Sequence, residues 1–296
     1  MAIVTHNRRE RLLGTLAHLQ RLPEGPSVVV LDNGSDDGTI EAVMEQFPDV
    51  TVLESHADLG AAGGRNALAD WSNAPYLAFC RDDAAWAPGA LAVAAALFEA
   101  HDDVALLSAP GDPAAPDASA RTGLAPRVPR RTTLGAPVRR FPCGAAVVRR
   151  RAFDEVGGFD GRLPIGVGEE LLAIDLTAAG WRTATVAALA VCRAVDDGED
   201  LGGDGGADPT GPAGDAIRDE LWTAWLRRSS PAALVRTGSV LRSLPRDQAS
   251  VRAVADALRG LPRVLRSRRP VPTALERELR RRDRVSPASL AAITSD

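Results

Sequence analysis

The first two-thirds of this 296-residue chain predict an α/β fold, a mostly parallel central sheet with helices on both faces. Three observations predict it. Short apolar runs alternate with segments of helical period across the first hundred residues. Loops rich in Gly, Asp and Asn follow several of those runs. One run, Tyr76 to Cys80, is apolar throughout and ends abruptly in Arg81-Asp82-Asp83.

Ala2 to Thr5 reads as a first strand, and Arg8 to Leu22 as a helix with Leu12, Leu13, Leu16, Leu19 and Leu22 on one side. Ser27 to Leu31 is an apolar strand, followed by the loop DNGSDDGT from Asp32 to Thr39 and a short helix, Ile40 to Phe47. Val50 to Glu54 is a strand, and the glycine-rich Gly60 to Asn66 leads into a helix ending at Trp71. After Tyr76–Cys80 come a helix, Ala90 to Ala100, and a strand, Val104 to Ser108. Ala109 to Pro142 reads as a long surface loop. Beyond it lie a strand from Cys143 to Arg149, short helices at Arg151–Val156 and Glu169–Ala179, and a strand over Trp181–Val191. Three helices are expected at Ala216–Arg228, Pro231–Leu244 and Gln248–Leu265, with a weakly patterned Arg-rich end from Ser267.

Composition excludes several classes. The net charge of −4 gives no sign of nucleic-acid binding. Three scattered cysteines suit a reducing cytoplasm rather than a disulfide framework or a Cys-based zinc site. The start MAIVTHNRRE meets charge too early for a signal peptide, and no apolar run approaches the roughly 18–20 residues of a membrane span. Every basic side chain is Arg.

Two adjacent carboxylates, Asp82 and Asp83, at the carboxyl end of a buried strand are costly unless their charge is compensated. In open α/β sheets that edge is where ligands bind, and a divalent cation shared with a substrate diphosphate would supply the compensation. Asp32 ends another strand; it either accepts hydrogen bonds from a ligand or caps its own loop. Gly60, Gly63 and Gly64 let backbone approach a ligand at a helix start, with Arg65 beside them for phosphate, or simply make a tight turn. They lack the spacing of a dinucleotide fingerprint. Glu169 and Glu170 open a helix, where carboxylates suit the dipole.

In this order the pieces VTHNR (Val4 to Arg8), DNGSDDGT, GAAGGRN, FCRDD (Phe79 to Asp83), CGAAVVRR (Cys143 to Arg150), GGFD (Gly157 to Asp160) and GEELLAIDLTAAGW (Gly168 to Trp181) closely resemble the family 2 glycosyltransferases. These are inverting enzymes of the GT-A fold. The similarity covers about residues 1 to 195, and the helical tail resembles actinobacterial members.

The resemblance implies a catalytic domain over 1–195, with a nucleotide-sugar half at 1–108 and an acceptor-side half at 109–195. A flexible linker at 196–214 and a helical extension at 215–296 follow. It places Thr5, His6, Asn7, Arg8, Asp32, Asn33, Gly63, Arg65 and Asp82 around a nucleoside-diphosphate sugar, a UDP- or dTDP-sugar. Asp83 is implied as ligand to Mn2+ or Mg2+, and Glu169, with Glu170 as alternate, as general base toward a glycan or lipid-linked acceptor. Location is expected in the cytoplasm. The Arg-rich tail beyond Arg263 reads first as a solvated helical face packed against the catalytic domain, and alternatively as a surface for peripheral contact with anionic lipid at the inner face of the plasma membrane. Arg81 stands where the family commonly has an acid, and Leu171 and Arg193 replace an acid and a His. These departures motivate a second reading, a nucleotide-binding relative without turnover.

Overall fold

Alternate residues of the short strands face opposite sides of one sheet, and this sets the architecture of the first unit. Val30, Cys80 and Leu107 enter one apolar layer; their neighbours Leu31, Phe79 and Leu106 enter the other. A strand buried on both faces reads as a continuous apolar run, which is why these segments are legible in sequence. The computed structural model describes residues 1–110, 133–161, 163, 167–193, 211–244 and 248–285. The chain divides into two compact units, Met1–Leu201 and Gly202–Asp296.

The strands of the main sheet are β1 (Ala2–Thr5), β2 (Val29–Asp32), β3 (Thr51–Glu54), β4 (Tyr76–Cys80), β6 (Val104–Ser108), β7 (Ala146–Arg149) and β8 (Arg182–Thr185), in the order β3-β2-β1-β4-β7-β6-β8. Only β7 runs against its neighbours β4 and β6. Thr5 lies opposite Asp32 in the β1–β2 register, so the carboxyl ends of β1, β2 and β4 share one edge. A second ladder pairs β5 (Ala84–Trp86) with β9 (Val191–Arg193).

Helices α1 (Arg9–Leu19), α2 (Thr39–Gln46), α3 (Gly60–Trp71), α4 (Ala90–Ala100), α5 (Arg150–Val156) and α6 (Val167–Ala178) connect the strands. On α1, Leu12, Leu16 and Leu19 are buried at helical spacing. α3 begins at Gly60 itself, earlier than expected. Its Gly64 sits so close to the sheet that a Cβ there would lie 2.8 Å from Leu31 Cδ2 and 3.0 Å from Val4. Tertiary packing thus holds a helix in a stretch whose glycines disfavour one.

Other boundaries also differ from expectation. α6 starts two residues before Glu169, and the single strand expected over Trp181–Val191 is two, β8 and β9. Cys143–Ala145 is a 3-10 turn ahead of β7. Of the expected loop at 109–142, residues 111–132 lie outside the described residues; Gly135 and Ala136 hydrogen-bond to Thr185 beside β8. Of the linker expected at 196–214, residues 196–210 lie outside the described residues, and residues 211–214 are instead the first turn of a helix that begins at Gly211. Arg149 fixes the end of β7, donating to the carbonyls of Phe98, His101 and Val104 at 2.7–2.9 Å.

The second unit is helical: α7 (Gly211–Arg227), α8 (Ser230–Ser243), α9 (Gln248–Arg259), α10 (Leu261–Arg266) and α11 (Thr273–Val285). Ile217 and Leu221 of α7 pack with Val240, Ala253 and Ala257. The helix expected to run to Leu265 breaks at Gly260, where a Cβ would meet the Trp222 ring at 2.3 Å. The Arg-rich end, expected to be weakly patterned, contains α11 instead. Its Glu276 accepts from Arg228 Nε at 3.1 Å, Arg280 Nε at 3.0 Å and the Ser229 N–H at 2.9 Å.

Candidate active site

Asp32 is fully buried at the end of β2, and its two oxygens do different things. Oδ1 accepts the N–H groups of Gly34 at 3.1 Å and Ser35 at 2.8 Å, capping its own loop. Oδ2 is buried with no hydrogen-bond partner among the described residues. A buried carboxylate oxygen left that way is costly, and a ligand N–H or hydroxyl would satisfy it. The loop-capping reading of Asp32 therefore describes Oδ1.

The loop after β1 is stitched to the loop after β2. The Asn7 N–H donates to Ser35 Oγ at 2.9 Å, and Asn7 Oδ1 accepts the Asp36 N–H at 2.8 Å. Asn7 has φ of 51°, a left-handed conformation that Asn tolerates better than most residues. His6 Nδ1 lies 3.1 Å from the Asn33 carbonyl. Asn33 in turn accepts the Leu59 N–H at 2.9 Å and donates to Asp58, tying β2 to the start of α3.

The acidic pair joins this cluster. Asp82 Oδ2 accepts from Thr5 Oγ1 at 3.2 Å, and Oδ1 from Arg8 Nη1 at 3.3 Å. Asp83 is gripped at both oxygens by Arg81, Nε to Oδ1 at 2.7 Å and Nη2 to Oδ2 at 2.8 Å, with Arg11 3.9 Å away. Burial works to raise the Asp83 pKa, but hydrogen bonding to Arg81 and the charges of Arg81, Arg8 and Arg11 outweigh it, and the carboxyl sits below its usual range. Gly144 leaves room for this fork: a Cβ there would lie 2.5 Å from Arg81 Cγ.

A second cluster holds the expected base. Arg65 and Glu169 are both buried, with Nη1 3.6 Å from Oε1. Glu170 faces other partners, accepting from Arg139 Nε at 2.7 Å with Arg140 Nη2 3.5 Å from its second oxygen. Gly63 touches the turn at Gly161, whose Cβ position lies 3.5 Å from Gly63 Cα. Asn66 clamps Phe159 through two backbone bonds of 2.7 and 3.0 Å. The aromatics near these motifs are core: Trp86 is buried and donates to the Phe79 carbonyl, and Phe159 stacks edge-on with Phe79 and Phe153.

Arg11, Arg139 and Arg140 are contacts that sequence reading missed. Arg11 is one helical turn beyond Arg8, a spacing that could have flagged it; Arg139 and Arg140 lie about thirty residues from Glu170, with no local signal.

Comparison with known proteins follows the same lines. The family model "Glycosyl transferase family 2" matches residues 1–157, just over half of the chain. The N-acetylglucosaminyl-diphospho-decaprenol L-rhamnosyltransferase of Mycobacterium tuberculosis is 29% identical over 214 residues, 60% of this chain and 70% of that protein. Among solved structures, the mannosyltransferase PcManGT of Pyrobaculum calidifontis, in complex with GDP-Man and Mn2+, aligns with a TM-score of 0.57 at 20% identity, over 88% of this chain and 79% of its own. S. aureus TarS 1–349 in complex with UDP-GlcNAc aligns with a TM-score of 0.58 at 15% identity, over 90% and 82%. At such identities the structures show a shared fold, that of the GT-A glycosyltransferases. No helix among the described residues is long and apolar enough to cross a membrane. Motifs, sheet order and family match agree: the chain belongs to glycosyl transferase family 2 and is a glycosyltransferase of the GT-A fold.

Proposed function

We propose that residues 1–195 transfer a sugar from a UDP- or dTDP-sugar to a hydroxyl of a glycan or lipid-linked acceptor, by single displacement with inversion. The observation that carries this reading is the buried, unpartnered Oδ2 of Asp32 at the same sheet edge as Asp82 and Asp83. Asp32 Oδ2 would accept a hydrogen bond from the base or ribose, and Thr5, His6, Asn7 and Asn33 would shape the surrounding loops. Arg8, Arg65 and the Gly63 backbone, with Asp82 orienting Arg8, would hold the diphosphate.

The donor set fits a divalent cation, Mn2+ or Mg2+, shared with substrate. Among the described residues there is no three-ligand cluster of His, Cys, Asp or Glu, and magnesium-type sites need only one or two carboxylates plus phosphate oxygens. Asp83 would hold it, and Arg81 would have to release Asp83 to make room. A bound cation supplies charge stabilisation to the leaving diphosphate. Glu169 takes the acceptor O–H proton as the acceptor oxygen bonds to the anomeric carbon. The bond from that carbon to the phosphate oxygen breaks on the opposite face, its electron pair leaving on the nucleoside diphosphate. Glu170, held by Arg139 and Arg140, would anchor α6 while Glu169 moves the proton.

The Mycobacterium relative, by its name, acts on a lipid-linked diphosphate sugar, which supports a lipid-linked acceptor and cell-envelope synthesis here. Three scattered cysteines, with Cys80 and Cys143 buried, suit the cytoplasm, with peripheral contact at the inner face of the membrane. The test is nucleoside-diphosphate release from UDP- and dTDP-sugars with Mn2+, comparing wild type with Asp83→Asn. Release confined to the wild type is expected; tight nucleotide binding with no turnover across donors and acceptors would favour a non-catalytic relative.

A further inference from the structure

Charge is segregated along the chain. Residues 202–296 carry 17 Arg against 11 Asp and Glu, a net +6, while residues 1–201 carry 18 against 28, a net −10. The same segment holds most of the exposed large apolar side chains among the described residues: six, against Met44, Leu59 and Trp71 in the first unit. A soluble surface normally scatters such residues singly, so their clustering in the basic unit calls for a partner.

Their spacing is regular. On α9, Val251 and Leu258 are seven residues apart, each followed by an exposed arginine, Arg252 and Arg259. Seven residues are nearly two helical turns, so all four lie on one face. The opposite side of α9, with Ala253 and Ala257, packs into the core of the unit. α8 carries a related but more apolar face: Leu234 is 74% exposed and followed by exposed Val235, and Leu241, seven residues on, is followed by exposed Arg242. Asp256 lies beside the α9 face and pairs with Arg259.

We propose that the outward faces of α8 and α9 dock on an anionic lipid bilayer. This deepens the reading that the enzyme makes peripheral contact with the membrane. Val251, Leu258, Leu234 and Leu241 would enter the boundary of the acyl region. Arg252, Arg259 and Arg242 lay their stems along it and reach the lipid phosphates. A bilayer fits because it asks for no shape complementarity, only apolar side chains interleaved with cations, which is what both faces present.

The test is co-sedimentation of the full chain with vesicles of phosphatidylcholine alone and with 30% phosphatidylglycerol. The wild type should pellet with the anionic vesicles, less so as salt rises. Each face arginine removed should weaken partitioning about fivefold, from the roughly 1 kcal/mol per cation at such a surface. Arg252→Glu/Arg259→Glu and Val251→Ser/Leu258→Ser alter exposed positions, so both should keep the wild-type Tm and bind at least tenfold more weakly. Anionic binding unchanged in both variants would overturn the assignment of these faces while leaving membrane contact standing. A wild type that ignores vesicles, or binds phosphatidylcholine equally, would overturn the proposal itself. So would a wild type that forms a dimer these substitutions abolish, with no vesicle binding. Nucleoside-diphosphate release in solution, read in parallel, reports on the catalytic reading separately.

Discussion

Arg81 closes a two-point fork on Asp83, two residues away, so both oxygens of the carboxylate implied as metal ligand are already held by a guanidinium. Bidentate charge-assisted pairs of this kind are among the stronger hydrogen-bonded contacts in proteins. A cation reaching Asp83 competes with that fork, and a diphosphate offers Arg81 an alternative anion. Cation and donor should therefore bind together rather than separately.

Replacing Arg81 removes the competitor. Arg81→Gln should raise the affinity of the nucleotide-free protein for Mn2+ about tenfold or more, from a charged hydrogen bond worth about 1.5–3 kcal/mol. Titration followed by electron paramagnetic resonance measures it directly. Equal affinity in the two proteins would show that Arg81 does not guard Asp83.

Asp32→Asn keeps an oxygen for the loop N–H groups and places an amide donor where the unpartnered Oδ2 now sits. The Tm should stay near the wild-type value while affinity for the nucleoside diphosphate falls about tenfold, as expected when a charged acceptor is lost. Calorimetric titration separates the two effects. Undiminished affinity would leave Asp32 as a loop cap only.

Glu276 carries a pH dependence. Burial works to raise its pKa, but the Ser229 N–H and the Arg280 and Arg228 guanidiniums prevail and lower it below 4.5. A carboxyl with a lowered folded-state pKa contributes stability that is fully present above its unfolded value and lost as pH falls through the folded one. Glu276→Gln should cost about 3 kcal/mol at pH 7, the scale for breaking a buried pair. The Tm difference from wild type should be constant above about pH 5.5 and shrink below 4.5.

Gly64→Ala should destabilise the first unit by about 1–3 kcal/mol, since its Cβ would press on Leu31 and Val4, neighbouring strand residues of β2 and β1. Chemical denaturation checks this.

Much of this architecture was legible because buried strands are apolar runs that stop at polar residues, as at Thr5, Asp32 and Asp82. The start of α3 was not legible: glycine propensity argues against helix at Gly60–Gly64, and only the packing of Gly64 on β1 and β2 reverses it. β5 is three residues long and forms through its distant partner β9. In the site, the positions of Asp32 and Asp82 follow from strand ends. The separation of Glu169 from Glu170 does not, because it depends on Arg65 and on Arg139 and Arg140, which are brought in by folding.

That separation offers the most direct measurement. Single-turnover release of nucleoside diphosphate, read per folded molecule, should fall about 10²–10⁴-fold in Glu169→Gln, the usual contribution of a general base, with donor affinity kept. Glu170→Gln should lower the Tm, because Arg139 and Arg140 lose their partner, while turnover of the folded protein persists. Wild-type turnover in Glu169→Gln would contradict the assignment of Glu169 as base and the displacement built on it.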